Sequence, residues 1–337
     1  MNAFDLEIAS EDPADIIRVC QLLEPTVGGI NLEDIRAPDC FVIEAALRET
    51  LAIPVFHDDQ HGTAIISGAA LVNALELIGK QVADVRIVFS GAGAAAVATA
   101  AHFERLGVGR APIVLCDRLG VVYQGRVDDM EPHKARFASQ TGACNIGDAL
   151  DGADVLAGLS VGRIITGAMI SRMAKRPIVF ALANPVPEIL PDEVLAARPD
   201  AIVATGRSDF PNQVNNVLGF PYIFRGALDV GASSITEPMI LAATHALAAL
   251  AKESVSNTVS LHYGRVGVRF GPEYLIPFIF DPRLLPRVAS AVAEAAVRGG
   301  VATRPLDRAA YEAALTTSVA GRPGRATTNE ARESTNG

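Results

Sequence analysis

The chain has 337 residues, of which half are hydrophobic, and its formal net charge is −9. This length allows two domains or one large α/β domain with appendages, and the acidic balance argues against a nucleic-acid partner and for a cytoplasmic location. No uninterrupted apolar run is long enough to predict a membrane span, and residues 1–7 lack the basic and apolar regions of a signal peptide. The widely spaced cysteines are typical of reduced buried thiols rather than of a metal site.

Helices dominate the first part of the chain. The pattern over residues 13–23 indicates a helix with Asp12 as its N-cap and a proline in its first turn. Residues 37–51 and 64–77 indicate two more helices. Between them, residues 53–56 have the apolar pattern of a buried strand.

Strands and helices alternate from residue 86 onward. Short apolar runs predict five strands, at residues 86–90, 112–116, 154–158, 177–183 and 201–205. A helix over 94–106 follows the first of these strands, another begins after Thr236, and a third covers 289–297. Near-continuous apolar strands between helices indicate a parallel sheet buried on both faces, so the predicted fold class is α/β with a doubly wound sheet.

The strand at 86–90 runs into a glycine-rich loop, Gly91-x-Gly93-x-x-Ala96, that opens a helix. The first glycine permits a tight turn, the second lets the backbone approach a pyrophosphate at the helix N-terminus, and the alanine permits close helix–strand packing. Asp117, at the end of the next strand, is placed to bind a ribose, whereas Arg118 could instead contact a 2′-phosphate, so the pattern predicts NAD or NADP. The alternative is a glycine turn that binds no ligand.

Adjacent carboxylates occur at two places before this loop. Glu33 and Asp34 form one pair, and Asp59 follows a buried-strand pattern whose carboxyl end should face a crevice. Together these three could ligate a hard cation, Mg²⁺ or Mn²⁺, which prefers oxygen donors. The alternative is solvated surface acids or helix caps. His57 and His61 have the spacing of a zinc pair, but we expect no helix across the acids between them and interpret both as packing or hydrogen-bonding residues.

Amide side chains follow two of the later strands. Asn184 comes after the strand at 177–183, and Asn215 and Asn216 come after the strand at 201–205. Amides at strand ends can donate to a carboxylate and to a carboxamide, which favours a substrate and cofactor site there. The alternative is ordinary turn chemistry, which asparagine also favours.

The chain resembles the malic enzymes, specifically the short bacterial type, from residue 3 to roughly residue 315. The motifs that carry the resemblance are Gly-Gly-Ile-Asn-Leu-Glu-Asp-Ile at 28–35, Phe-His-Asp-Asp-Gln-His-Gly-Thr-Ala at 56–64, Ser-Gly-Ala-Gly-Ala-Ala at 90–95, Phe-Ala-Leu-Ala-Asn-Pro at 180–185 and Thr-Gly-Arg-Ser-Asp-Phe-Pro-Asn-Gln-Val-Asn-Asn at 205–216. The resemblance implies metal-dependent oxidative decarboxylation of malate to pyruvate and CO₂ with reduction of NAD(P). It also implies a homo-oligomer that acts on small molecules (malate, oxaloacetate and pyruvate), with neither nucleic acid nor membrane as a partner.

The resemblance further implies roles for individual residues. The family's metal ligands fall on Glu33, Asp34 and Asp59. Its cofactor contacts fall on Thr63, Gly91, Ala92, Gly93, Ala94, Ala95 and Asn184. These add to Asp117, which is predicted above to bind the ribose. Its substrate contacts fall on Asn184, Asn215 and Asn216.

One departure from the family concerns catalysis. The family's general base lysine and general acid tyrosine lie upstream of the segment found here at residues 4–8, and the lysines of this chain match no catalytic position. We therefore expect a remnant of the N-terminal malic domain at 1–56, a Rossmann-like NAD(P)-binding domain at 57–255, an appendage at 256–318 and a disordered tail at 319–337, with impaired malate oxidation by the chain alone. The alternatives are a non-catalytic NAD(P)-binding remnant or one half of a split enzyme, and a different 2-hydroxy acid dehydrogenase. The last is disfavoured because most such enzymes need no metal.

Overall fold

The computed structural model describes residues 1–320. The tail predicted at 319–337 therefore lies outside the described residues, except for its first two positions, which end the last helix. The described elements are a small N-terminal unit, a central sheet with flanking helices, and a C-terminal group of helices.

The N-terminal unit packs two helices against two short parallel strands. Its elements are α1 (Pro13–Leu23), β1 (Ile30–Leu32), α2 (Asp39–Thr50) and β2 (Val55–His57). The Asp12 carboxylate accepts the backbone N–H of Ala14 at 2.9 Å and so caps α1 as predicted. β1 pairs with β2 with Leu32 opposite His57, so both strands end at the same level. The sequence does not predict β1, because a three-residue strand is too short for its alternation to be recognised.

The central sheet has six strands. They are β3 (Ile87–Ser90), β4 (Ile113–Asp117), β5 (Gly120–Val121), β6 (Val155–Gly158), β7 (Ile178–Ala181) and β8 (Ile202–Thr205). Their order is β5-β4-β3-β6-β7-β8, and all neighbours pair in parallel except β5, which is antiparallel to β4. Every residue of β3, β6 and β7 is buried, as continuous apolar runs predict for strands covered on both faces. The predicted α/β, Rossmann-like fold is confirmed.

The strand order also locates the part of the sheet where a ligand should bind. From β3 the chain proceeds to β4 on one side, and it then returns to the other side for β6, β7 and β8. The order therefore reverses between β3 and β6, which is the topological switch point of a doubly wound sheet. Folds of this kind bind ligands in the crevice outside the carboxyl ends of the strands at that point.

Helices cover the sheet and pack on one another. They are α3 (Thr63–Ile78), α4 (Ala94–Arg105), α5 (Pro132–Ala135), α6 (Ile146–Ala149), α7 (Gly167–Ser171), α8 (Pro191–Ala197), α9 (Phe220–Asp229), α10 (Glu237–Leu250), α11 (Asn257–His262), α12 (Leu284–Arg298) and α13 (Arg308–Ala320). α3 packs on α4 and α10, and α12 packs on α9 and α10. α10 begins directly after Thr236 as predicted, whereas the helix predicted at 289–297 begins earlier, at Leu284.

A π-helical turn, Asp58–Gly62, leads directly into α3. The expectation that no helix crosses the acids between His57 and His61 is therefore wrong, because packing of this turn against α4 and α3 overrides its polar local sequence. By length and composition the stretch Asp58–Ile78 is apolar enough to cross a membrane, yet 72% of its apolar window is buried inside the protein. An all-round apolar helix that is buried in this way is typical of a protein core.

Candidate cofactor and metal site

The glycine-rich loop leaves β3 at the switch point. Gly91 has a φ of +117°, and its backbone N–H donates to the carbonyl oxygen of Cys116 at 2.7 Å. A Cβ atom at this position would lie 2.4 Å from the carbonyl oxygen of Leu159, so the backbone of the loop packs directly on the chain that follows β6. Both the left-handed conformation and the close approach require glycine here.

Gly93 differs from Gly91 because it faces open space. It is the N-cap of α4, and no side chain caps the N–H groups of the first turn. A Cβ atom at Gly93 would meet nothing within 4 Å. Ala92, Ala94 and Ala95 complete the loop. An uncapped helix N-terminus beside a vacant space is the arrangement that receives a pyrophosphate, so these residues fit a dinucleotide.

Asp117 ends β4, the neighbouring strand, and is already engaged by cations. Its carboxylate accepts from Arg126 at 3.0 and 2.5 Å, from Lys134 at 3.1 Å and from the backbone N–H of Leu119 at 2.9 Å. Burial alone would raise the pKa of Asp117, but these hydrogen bonds outweigh it and hold the pKa below its ordinary value. Arg118 is 76% exposed and lies 3.8 Å from Asp129. Sequence reasoning missed Arg126, which lies in irregular chain, and Lys134, which lies in the short helix α5, since neither has a motif around it.

The two acidic segments meet where β1 and β2 end. The backbone N–H of Asp34 donates to Oδ2 of Asp59 at 2.9 Å, and the Asn31 amide donates to Oε2 of Glu33 at 2.7 Å. The meeting follows from the parallel pairing of β1 with β2, because both chains leave the pair at the same end. In residues 1–320, no three His, Cys, Asp or Glu side chains are arranged closely enough to hold a metal ion, so the predicted ligands approach one another without closing a site.

The electrostatics of these acids nevertheless favour a cation. Burial raises the pKa of Glu33, and the nearby charges of Asp59 and Asp34 raise it further against the Asn31 hydrogen bond. Burial and the charge of Glu33 raise the pKa of Asp58 to about 7, and Oδ1 of Asp58 is buried without a hydrogen-bond partner among the described residues. Carboxylate oxygens in excess of positive charge suit a hard cation such as Mg²⁺ or Mn²⁺.

The two histidines beside the acids do not share a site. His57 is fully buried, and neither of its ring nitrogens has a hydrogen-bond partner in the described chain. The nearest acid is Asp59, whose Oδ2 lies 3.8 Å from Nδ1 of His57. His61 instead places its Nε2 atom 2.6 Å from Oε1 of Glu44, on α2. The interpretation of the histidines as packing and hydrogen-bonding residues is confirmed.

The predicted amides fall into different surroundings. Asn216 accepts the Thr63 hydroxyl at 3.1 Å and donates to the carbonyl oxygen of Asp58 at 3.3 Å, so it borders the acidic region. Asn215 accepts the backbone N–H of Val217 at 3.1 Å, which is turn chemistry. Asn184 is exposed at the carboxyl end of β7. The structure thus joins Thr63 and Asn216 to the acids and places Asn184 at the carboxyl edge of the sheet.

The comparisons with known proteins agree with one another. Residues 60–263 match the family model described as malic enzyme, NAD binding domain. An NADP-dependent malic enzyme of Haemophilus influenzae is 54% identical over 307 residues, and an NAD-dependent malic enzyme of Rhizobium meliloti is 52% identical over 306 residues. Each match covers 91% of this chain but only 41% and 40% of the respective relative, so the chain spans about two-fifths of their length. The crystal structure of an Entamoeba histolytica malic enzyme superposes with a TM-score of 0.82 at 38% identity, covering 92% of this chain and 63% of that one.

Proposed function

Since the chain belongs to the malic enzyme family, we propose that it forms the cofactor- and metal-binding part of an enzyme that converts malate to pyruvate and CO₂ with reduction of NAD(P). The observation that carries the proposal is the pairing of an open helix N-terminus at Gly93 with uncompensated carboxylates at Glu33 and Asp58. The first suits a pyrophosphate and the second a divalent cation. Assembly of like chains and a cytoplasmic location stay predictions from the sequence.

The cofactor would lie along the carboxyl edge of the sheet. The backbone N–H groups at the start of α4, with Gly91 to Ala95, would bind its pyrophosphate. Asn184, exposed after β7, would orient the nicotinamide end or the substrate. When bound, the nicotinamide would accept the hydride from C2 of malate. The chain's contribution is to hold the pyrophosphate and the nicotinamide end of the dinucleotide at fixed places on one rigid sheet.

The divalent cation would be held by Glu33, Asp34 and Asp59. When bound, it would supply a Lewis acid that polarises the C2 oxygen of the substrate. Asn216, linked to Thr63 and to the backbone of Asp58, would fix the turn that carries one ligand. Supporting contacts of this kind set the orientation of metal ligands in other proteins.

We propose NADP as the preferred cofactor. Support comes from Asp117, whose carboxylate already accepts from Arg126 and Lys134 and therefore has little capacity left to accept from ribose hydroxyls. Arg118, which follows Asp117 and is 76% exposed, adds a third cationic side chain at this place. A 2′-phosphate would be favoured there over a 2′-hydroxyl.

Among residues 1–320, no lysine lies at the proposed site to transfer a proton. Lys80, Lys134 and Lys252 are held in ion pairs with acids outside the Glu33 region. Lys175 is exposed just before β7, at the end of the strand opposite to the proposed site. Because loss of a positioned acid or base costs about 10²–10⁴-fold, we expect negligible malate oxidation by this chain alone. Oxaloacetate decarboxylation, which depends chiefly on the cation, should persist weakly.

The proposal is tested by the thermal response to Mn²⁺. At a hundredfold excess over Kd, Mn²⁺ should stabilise the chain by about 2.7 kcal/mol, seen as a higher melting temperature. Asp59→Ala should abolish the rise, whereas Asp84→Ala, which removes an exposed acid elsewhere, should keep it. A Mn²⁺ response that survives Asp59→Ala would refute the ligand assignment. Robust malate oxidation by the chain would refute the assignment of proton transfer to residues outside it.

A further inference from the structure

Glu188 is a buried acid that the proposed reaction does not use. It lies in the loop after β7 and has no exposed surface. Its Oε1 atom accepts the backbone N–H of Ser160 at 2.9 Å, and its Oε2 atom accepts that of Ala183 at 3.1 Å. Ser160 follows β6 and Ala183 follows β7. One carboxylate therefore joins the two chain segments that leave adjacent strands.

The connection continues to the glycine-rich loop. The Ser160 hydroxyl lies 2.7 Å from the Ser90 hydroxyl at the end of β3, and the backbone N–H of Leu159 donates to the carbonyl oxygen of Ser90 at 2.8 Å. The carbonyl oxygen of Leu159 is also the atom that a Cβ at Gly91 would strike. The segment 159–160 thus contacts the glycine loop on one side and the Glu188 carboxylate on the other, at the switch point between β3 and β6.

The surroundings of Glu188 are shaped to hold a carboxylate. Gly158 leaves room for it, because a Cβ there would lie 2.5 Å from Cδ of Glu188. No lysine or arginine of residues 1–320 forms an ion pair with it, so its oxygens are satisfied by two backbone N–H groups and by the Ser160 hydroxyl, which lies 3.5 Å from Oε1. Burial raises the pKa of Glu188, and the hydrogen bonds from Ser160 and Ala183 oppose that rise. Burying a carboxylate without a cation is costly, and an apolar side chain would avoid this cost but could not bind two amides.

We infer that Glu188 is a positioning residue that fixes the Asn184 loop relative to the glycine loop, through Ser160. The inference rests on the proposed binding of NAD(P) at this edge. The glycine loop would hold the pyrophosphate and the Asn184 loop the nicotinamide end. Glu188 therefore sets the spacing between the pyrophosphate and the nicotinamide end of the cofactor without touching it.

The test compares ligands that need one loop or both. The full chain and Glu188→Gln are titrated with NADPH and with adenosine 2′,5′-bisphosphate, which lacks the nicotinamide end. Glutamine keeps the shape but presents an N–H₂ group to one of the two amides. Replacing a charge-assisted hydrogen bond in this way should raise the Kd for NADPH about tenfold. The Kd for the bisphosphate should stay within about twofold, since the glycine loop remains.

Asp281→Asn serves as the matched control, because Asp281 is a buried acid paired with Arg283 far along the chain. It should lower the melting temperature and leave both Kd values unchanged. If Glu188→Gln does not fold, Ser160→Ala keeps the Glu188 carboxylate and removes the hydroxyl that links it to Ser90, and it should raise the Kd for NADPH about threefold. Equal losses for both ligands, or no loss for NADPH, would overturn the inference. Failure of the unaltered chain to bind either ligand would instead overturn the proposed function.

Discussion

Two glycines of one loop should respond in opposite ways to substitution, and this contrast separates binding from folding. Gly93 has φ −83° and ψ −169°, an extended conformation that any residue adopts, and a Cβ there meets nothing within 4 Å. Gly93→Val should therefore change the free energy of unfolding by no more than about 1 kcal/mol, the cost of replacing glycine by valine at an N-cap. In the complex, however, the added methyl groups would occupy the space proposed for the pyrophosphate.

The size of both effects can be worked out. Overpacking of a filled site costs about 1–3 kcal/mol, so Gly93→Val should raise the Kd for NADPH roughly tenfold to hundredfold. Gly91→Ala should act on the fold instead, because its φ is +117° and its Cβ would lie 2.4 Å from the Leu159 carbonyl oxygen. The strained backbone alone costs about 1–3 kcal/mol. A chain of 337 residues should then melt about 1–4 °C lower, because about 2.1 cal/mol/K of unfolding entropy per residue gives about 1.4 °C per kcal/mol.

The assays are differential scanning fluorimetry for the fold and isothermal titration calorimetry for NADPH. Gly93→Ala provides a graded control, with a smaller loss of affinity than the valine variant and the same melting temperature. Binding by Gly93→Val at the affinity of the unaltered chain would refute the placement of the pyrophosphate. An unchanged melting temperature in Gly91→Ala would refute the close approach to Leu159.

Two further predictions concern charge. Burial lowers the pKa of His102 to about 3. As the pH falls below about 6.5, the unfolded chain therefore binds a proton at this histidine that the folded chain excludes. The free energy of unfolding should then fall by about 2 kcal/mol between pH 7 and pH 5. His102→Gln should flatten this dependence in urea titrations and the exposed His245→Gln should not, whereas an unchanged profile in the first variant would contradict the argument. Lys134→Gln should lower the affinity for NADPH about tenfold and spare NADH, because it removes a cation beside Asp117 and frees that carboxylate. Equal effects on the two cofactors would exclude a 2′-phosphate contact at Lys134.

The sequence predicts the central sheet well because its strands are buried on both faces. A strand such as Ile178–Ala181 must be apolar at every position, and this leaves an uninterrupted run in the sequence. The loop at Gly91 is equally predictable, because its glycine spacing directly follows a strand and opens a helix, and its positive φ requires glycine. Both features are local, so a single stretch of chain contains all the information that they need.

The parts that the sequence does not predict depend on contacts between distant segments. The π-helical turn Asp58–Gly62 is polar in sequence and is stabilised by its packing against α4 and α3. Glu188 resembles an ordinary loop acid until the fold brings Ser160 to it. Lys134 has no motif around it, and its meeting with Asp117 depends on the chain between them folding back. Pairings of this kind leave no periodic pattern and no characteristic spacing in the sequence.

The acids of this chain differ in what neutralises them, and the difference separates the proposed sites. Asp117 is paired with two cationic side chains, whereas the buried Glu188 carboxylate is hydrogen-bonded by two backbone amides and the Ser160 hydroxyl. Glu33 and Asp58 have too few hydrogen-bond donors and cations beside them to offset their burial. Burial and neighbouring carboxylates, including Asp59, therefore raise the pKa of both acids. Cationic side chains are therefore lacking beside Glu33 and Asp58 and present beside Asp117. A divalent cation favours the first place and a phosphorylated ribose the second, which is why we propose that metal and cofactor bind at separate places without competing.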